Sequence, residues 1–96
     1  MDKDKIISFL KAHKHEIQKK FGVKKIGLFG SYVRGSERED SDIDIAVEMV
    51  DQNIFRNFFN LELYLKTNLH ENVDLGIEST LKPVVKKRVI KEIIYV

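Results

Sequence analysis

From Asp42 to Met49 the chain alternates without interruption. Ile43, Ile45, Val47 and Met49 take one phase, and Asp42, Asp44, Ala46 and Glu48 take the other. A period of two marks a half-buried strand, because successive side chains leave a pleated backbone on opposite faces. Such a strand must rest its apolar face on a core, which leaves the other face free. That free face begins with two carboxylates, Asp42 and Asp44, set side by side. The feature gives the chain a strand with one apolar face for a core and one face free for acidic chemistry.

A dozen residues upstream stands Gly30-Ser31, closing the short apolar run Lys24 to Phe29, which reads as a first strand. Glycine lets backbone approach a phosphate closely. Ser31 opens a short helical turn whose N–H groups and hydroxyl suit an anion. Arg34, one turn on, can reach a phosphate oxygen or an acidic neighbour such as Glu37 or Asp40, and Gly35 ends the turn. Ser41 is placed to cap or orient the loop that enters the Asp strand. Hard divalent cations take oxygen ligands, and Mg²⁺ is commonly held by one or two carboxylates together with substrate phosphates. The combination reads as a site for a metal–nucleotide complex.

The remaining elements follow from periodicity. Ile6, Leu10, His13, Ile17 and Phe21 recur at helical steps, predicting a helix over about residues 3–20 that stops at Gly22. Ile54, Phe58, Leu61, Leu65 and Leu69 predict a second long helix. Asn72 to Glu78 alternates as a strand, with Val73, Leu75 and Ile77 inward and Asp74, Gly76 and Glu78 outward. Thr80 is a candidate cap for a last helix, with the single proline, Pro83, in its first turn and Val85, Val89 and Ile93 inward. Gly30 lies at the end of the first strand and Asp42 at the start of the second, so they meet only if those strands are antiparallel. Asp74 joins them if the second and third strands are parallel neighbours linked by the crossover helix. The expected fold is α/β (α+β): a small mixed sheet, its first strand antiparallel to two parallel strands, covered by helices. Residues 1–96 are read as one domain, without repeat, linker or low-complexity tract.

Three carboxylates so arranged are costly without a cation. Two like charges about 5 Å apart repel by roughly 3 kcal/mol at an effective dielectric of ~20, against a domain stability of only ~5–15 kcal/mol. A divalent ion removes that penalty, and two ions ~3.5–4 Å apart clamp both the attacking and the leaving oxygens at a phosphorus centre.

Bulk properties exclude other classes. With 43% hydrophobic residues the composition is that of a folded protein, and the absence of cysteine rules out disulfides and thiolate metal sites. No apolar run approaches a membrane span and the first residues do not resemble a signal peptide, so a cytoplasmic location is expected. The net charge of +2 is too slight to make nucleic acid the main partner. Lysines cluster at 19–25 and at 82–91, either as solvated helix faces or as a docking surface. His13 reads as a core-edge histidine, and His15 and His70 lack companions at metal spacing. Ser8, Ser36 and Ser79 have no His/Asp pattern for nucleophilic catalysis, and Glu48 lies too far along its strand for the acidic cluster. Phe55, Phe59 and Leu63 form a second stripe on the crossover helix, expected to be core, with a partner interface as the rival reading.

The run Gly30-Ser31-Tyr32-Val33-Arg34-Gly35, with Ser41-Asp42-Ile43-Asp44 and Val73-Asp74-Leu75, resembles the DNA polymerase β-like nucleotidyltransferase superfamily, and most closely its minimal nucleotidyltransferase (MNT) antitoxin branch. The ending from Leu81-Lys82-Pro83 to Ile93-Ile94-Tyr95-Val96 is also similar to that branch. The resemblance implies that Gly30 and Ser31 hold the nucleotide's triphosphate, with Arg34 assisting, and that Asp42 and Asp44 bind two Mg²⁺ ions. It implies that Asp74 binds the catalytic metal and helps deprotonate an acceptor hydroxyl, which attacks the α-phosphorus and releases pyrophosphate. It further implies an antitoxin that moves AMP from ATP to a tyrosine of a HEPN-domain RNase toxin; a homo- or hetero-oligomer is compatible with this, and the sequence does not fix the oligomeric state. Two alternatives stay open: a binding module that neutralises its partner by occlusion, and nucleotidyl transfer to a small molecule or an RNA end.

Overall fold

The structure is a computed structural model describing residues 1–96. Helix α1 (Lys3–Phe21) begins at Asp2, whose carboxylate accepts from the Lys5 N–H at 2.9 Å, and stops at Gly22. Strand β1 (Val23–Phe29) leads into the single turn α2 (Ser31–Arg34), closed by Gly35. Strand β2 (Ile43–Met49), crossover helix α3 (Ile54–Leu69) and strand β3 (Val73–Ile77) follow. A 3-10 turn (Glu78–Thr80), helix α4 (Pro83–Glu92) and the two-residue strand β4 (Ile94–Tyr95) complete the chain.

The sheet order is β3-β2-β1-β4. β1 runs antiparallel to β2, and β2 runs parallel to β3, as expected. β4 is an addition that periodicity did not reveal. It pairs antiparallel with the outer edge of β1, matching Gly27 to Tyr95 and Leu28 to Ile94. Gly27 allows this close return, because a Cβ there would press into Ile93 and the Ile94 carbonyl. Covering the β1 edge also removes a row of open backbone groups.

One sheet face carries the core. Ile43, Ile45, Val47 and Met49 of β2 join Ile26 and Leu28 of β1 beneath Ile6, Leu10 and Ile17 of α1 and Leu61, Leu65 and Leu69 of α3. His13 stays at the core edge, its ring stacked on Phe9 at 4.2 Å. Four expectations need correction. The 3-10 turn rather than the strand holds Glu78, and its side chain is buried instead of outward, because the Tyr95 hydroxyl donates to it and Lys25 pairs with it at 3.1 Å. Thr80 does not cap α4; its hydroxyl donates to the Ile77 carbonyl, and Lys82 occupies the N-cap before Pro83. Val89 is the one buried side chain of α4, while Val85 is half-buried and Ile93 lies just past the helix. Finally, Phe55, Phe59 and Leu63 are not core: they are 79%, 61% and 65% exposed. The three leucines already fill the inner face of α3, so the second stripe is left outside.

Candidate active site

The acidic cluster is assembled by strand register. β2 and β3 pair so that Asp44 lies directly beside Asp74, and side chains at matched positions of parallel neighbours share a face. Asp74 is close enough for its charge to act on the Asp44 carboxyl. Asp42, expected as the first strand residue, stands just ahead of β2 and is exposed, close enough for its charge to act on Asp44. Asp74 is exposed and Asp44 is half-buried.

This setting raises the Asp44 carboxyl from its ordinary value of 3.8 to about 6. Burial is the largest cause, followed by the charges of Asp74 and Asp42, with the Arg34 guanidinium pulling the other way. A half-buried carboxyl with two acids acting on it marks a site where negative charge is poorly solvated. As the side chains stand, no three His, Cys, Asp or Glu groups converge tightly enough to hold an ion. The oxygen donors and the unrelieved repulsion nonetheless suit a hard divalent cation, toward which the exposed Asp42 and Asp74 side chains could turn beside Asp44.

Gly30 forms the opposite wall. Its backbone is left-handed (φ 84°), and a Cβ would collide with the Asp44 carboxylate. Only glycine fits between β1 and that acid. Beyond it, the α2 turn is closed by bonds from the Val33 and Arg34 N–H groups to the Gly30 carbonyl, each 3.1 Å, and Ser31 is half-buried at its start. Ser41 orients the following loop, its hydroxyl accepting from the Arg38 N–H at 2.7 Å. Arg34 pairs with neither Glu37 nor Asp40. It binds Glu92 at the end of α4, through Nη1 contacts of 3.0 and 2.9 Å. Glu92 also accepts from the Gly30 N–H. Nothing in the spacing could have named Glu92, which lies 58 residues beyond Arg34 and joins it only through the packing of α4.

A cleft of about 230 Å³ runs between these parts, bounded by Gly30, Asp44, Asp74 and Gly76 on the sheet side and by Arg88 and Glu92 from α4. Glu48 stays outside it and accepts from the Ser79 N–H, tying the 3-10 turn to β2. An apolar groove of about 480 Å³ lies alongside, sharing Gly76 and lined by Phe55, Phe58, Phe59 and Ile77.

The chain matches the family described as Polymerase beta, Nucleotidyltransferase over residues 5–96. It is 46% identical over 93 residues to the protein adenylyltransferase MntA of Thermococcus cleftensis, covering 97% of this chain and 94% of that protein. Among solved structures it superposes on one provisionally named a minimal nucleotidyltransferase with a TM-score of 0.76 at 30% identity, covering 98% of this chain and 95% of the other. It also superposes on a toxin–antitoxin crystal structure with AMP-PNP with a TM-score of 0.70 at 27% identity, covering 88% and 69%. With its acids, its glycine turn and nearly its full length accounted for, the chain belongs to the polymerase β nucleotidyltransferase family.

Proposed function

We propose that this protein transfers AMP from ATP to a hydroxyl, most simply a tyrosine, of a HEPN-type RNase toxin and so acts as its antitoxin. The observation that carries the reading is the pairing of Asp44 with Asp74 on one sheet face, against a glycine that no other residue could replace. The adenylyltransferase name of the Thermococcus relative and the AMP-PNP of the toxin–antitoxin structure support AMP and ATP.

Asp42, Asp44 and Asp74 would hold Mg²⁺, two ions in the family's arrangement. Bound there, the ions would supply charge neutralisation at the reacting phosphates. Gly30, Ser31 and Arg34 bind and orient the triphosphate by backbone N–H, hydroxyl and guanidinium donors. Asp74, exposed at the cleft mouth, receives the proton of the acceptor hydroxyl. The acceptor oxygen bonds to the α-phosphorus, the bond from that phosphorus to the bridging oxygen breaks, and pyrophosphate leaves. The exposed stripe of Phe55, Phe59 and Leu63 beside the cleft would seat the protein that brings the acceptor. The same stripe favours a second reading, neutralisation by occlusion alone.

Labelled ATP, Mg²⁺ and the candidate toxin separate these readings. Label on a toxin tyrosine, lost in Asp42→Ala/Asp44→Ala, supports transfer. Toxin neutralised equally well by that double variant, with no label transferred, would leave occlusion. Label appearing only on RNA ends or a small acceptor would redirect the activity to those substrates.

A further inference from the structure

Glu92 occupies the place assigned above to the nucleotide's phosphates. Its carboxylate accepts from the Gly30 N–H and makes both Arg34 contacts, so two of the three nominated phosphate binders are already engaged. The contact is enclosed on the acid's side: the Glu92 side chain is 14% exposed, against 48% for Arg34. We propose that Glu92 is a resident anion seated in the phosphate position, which nucleotide must displace, so that binding releases the C-terminal end of α4. This rests on the nucleotide reading of the cleft.

The physical reasons are exclusion and charge. A carboxylate oxygen against the Gly30 N–H leaves no room for a phosphate oxygen on the same donor. A further acid beside Asp42, Asp44 and Asp74 repels a triphosphate, while Arg34 cannot serve both anions fully. The element carrying Glu92 is suited to yield. Val89 is the sole buried side chain of α4, Val84 and Ile90 are exposed, and β4 beyond it has only two residues. In the empty protein Glu92 keeps Gly30 and Arg34 in order; with nucleotide bound, the freed helix end becomes a surface signal of occupancy.

The test is titration calorimetry of wild type, Glu92→Gln and Glu92→Ala with two probes, inorganic triphosphate and AMP-PNP with Mg²⁺. Both variants should bind both probes about tenfold tighter or more, the order expected from removing one nearby like charge. In wild type, AMP-PNP should also speed hydrogen exchange in residues 89–95. Glu92→Gln preserves the side-chain shape, so it carries the test if the alanine variant folds poorly. Unchanged or weaker binding by the variants would overturn the inference, reducing Glu92 to a residue that positions Arg34 and leaving the nucleotide reading intact. No binding by wild type or by folded Glu92→Gln would sink the nucleotide reading and this inference with it.

Discussion

The two faces of the sheet are built on opposite terms. Beneath α1 and α3, seventeen buried apolar residues form one continuous cluster. On the other face, Asp44 and Asp74 line a cleft with Asp42 close by, and α4 is held over it by one buried valine and the Glu92 contacts. The first face supplies stability; the second half-buries a carboxyl beside like charges at the expense of stability, and burial first, then Asp74 and Asp42, raise the Asp44 carboxyl. Substitutions should therefore part cleanly: those on the apolar face unfold the protein, and those on the acidic face remove activity while leaving the fold, or improving it.

The largest effect should come from Asp42→Ala/Asp44→Ala, which removes two of the three cation-binding acids. A loss of AMP transfer of at least about a thousandfold is expected, with the far-ultraviolet circular dichroism spectrum preserved. Transfer within tenfold of wild type would break the division between the faces. Next comes the core. Leu65 is fully buried under α3, and Leu65→Ala should cost about 2–5 kcal/mol in urea unfolding. A change below 0.5 kcal/mol would mean that the cluster can collapse around the gap.

Tyr95→Phe tests the seam that fastens the chain end. Its hydroxyl donates to buried Glu78, whose carboxyl is held below its usual range chiefly by that bond and by Lys25. Loss of the bond should cost about 1 kcal/mol, and an unchanged melting temperature would show that the Lys25 pair suffices.

The smallest effect sharpens the comparison most. In chelator, Asp44 is raised in the folded state, so its protonated form favours folding. That contribution is fully present below pH 3.8 and is lost as pH rises through about 6. Asp44→Asn, which carries no charge, should then melt a few degrees above wild type at pH 7.5, and the gap should close near pH 4. A variant less stable than wild type at pH 7.5 would show that the Asp44 charge is not strained.

Much of this was legible in the chain. The β2 alternation placed Ile43, Ile45, Val47 and Met49 inside, and the same phase in β3 placed Asp74 beside Asp44. These are local periodicities, and a pleated strand has only two faces to choose between. The misses share a different origin. β4 has two residues, too few to show a period, and forms only because β1 offers an open edge beside Gly27. Glu78 followed the alternation outward, yet Tyr95 and Lys25 made burial of its carboxylate tolerable. Arg34 had acids nearby in sequence, but its partner came from α4. The outer stripe of α3 looked like core because helical spacing shows that a face is apolar, not whether anything covers it.

The sequence by itself determined the first three strands, the long helices, the glycine turn and the strand phase that Asp44 and Asp74 share, because each depends on neighbours within a few positions. Only the tertiary structure decided where α4 and the chain end return, and with them that Glu92 sits on Gly30 and Arg34 and that the Tyr95 hydroxyl donates to Glu78. Those contacts join residues far apart along the chain, and their energies depend on how whole elements pack, which no local pattern encodes.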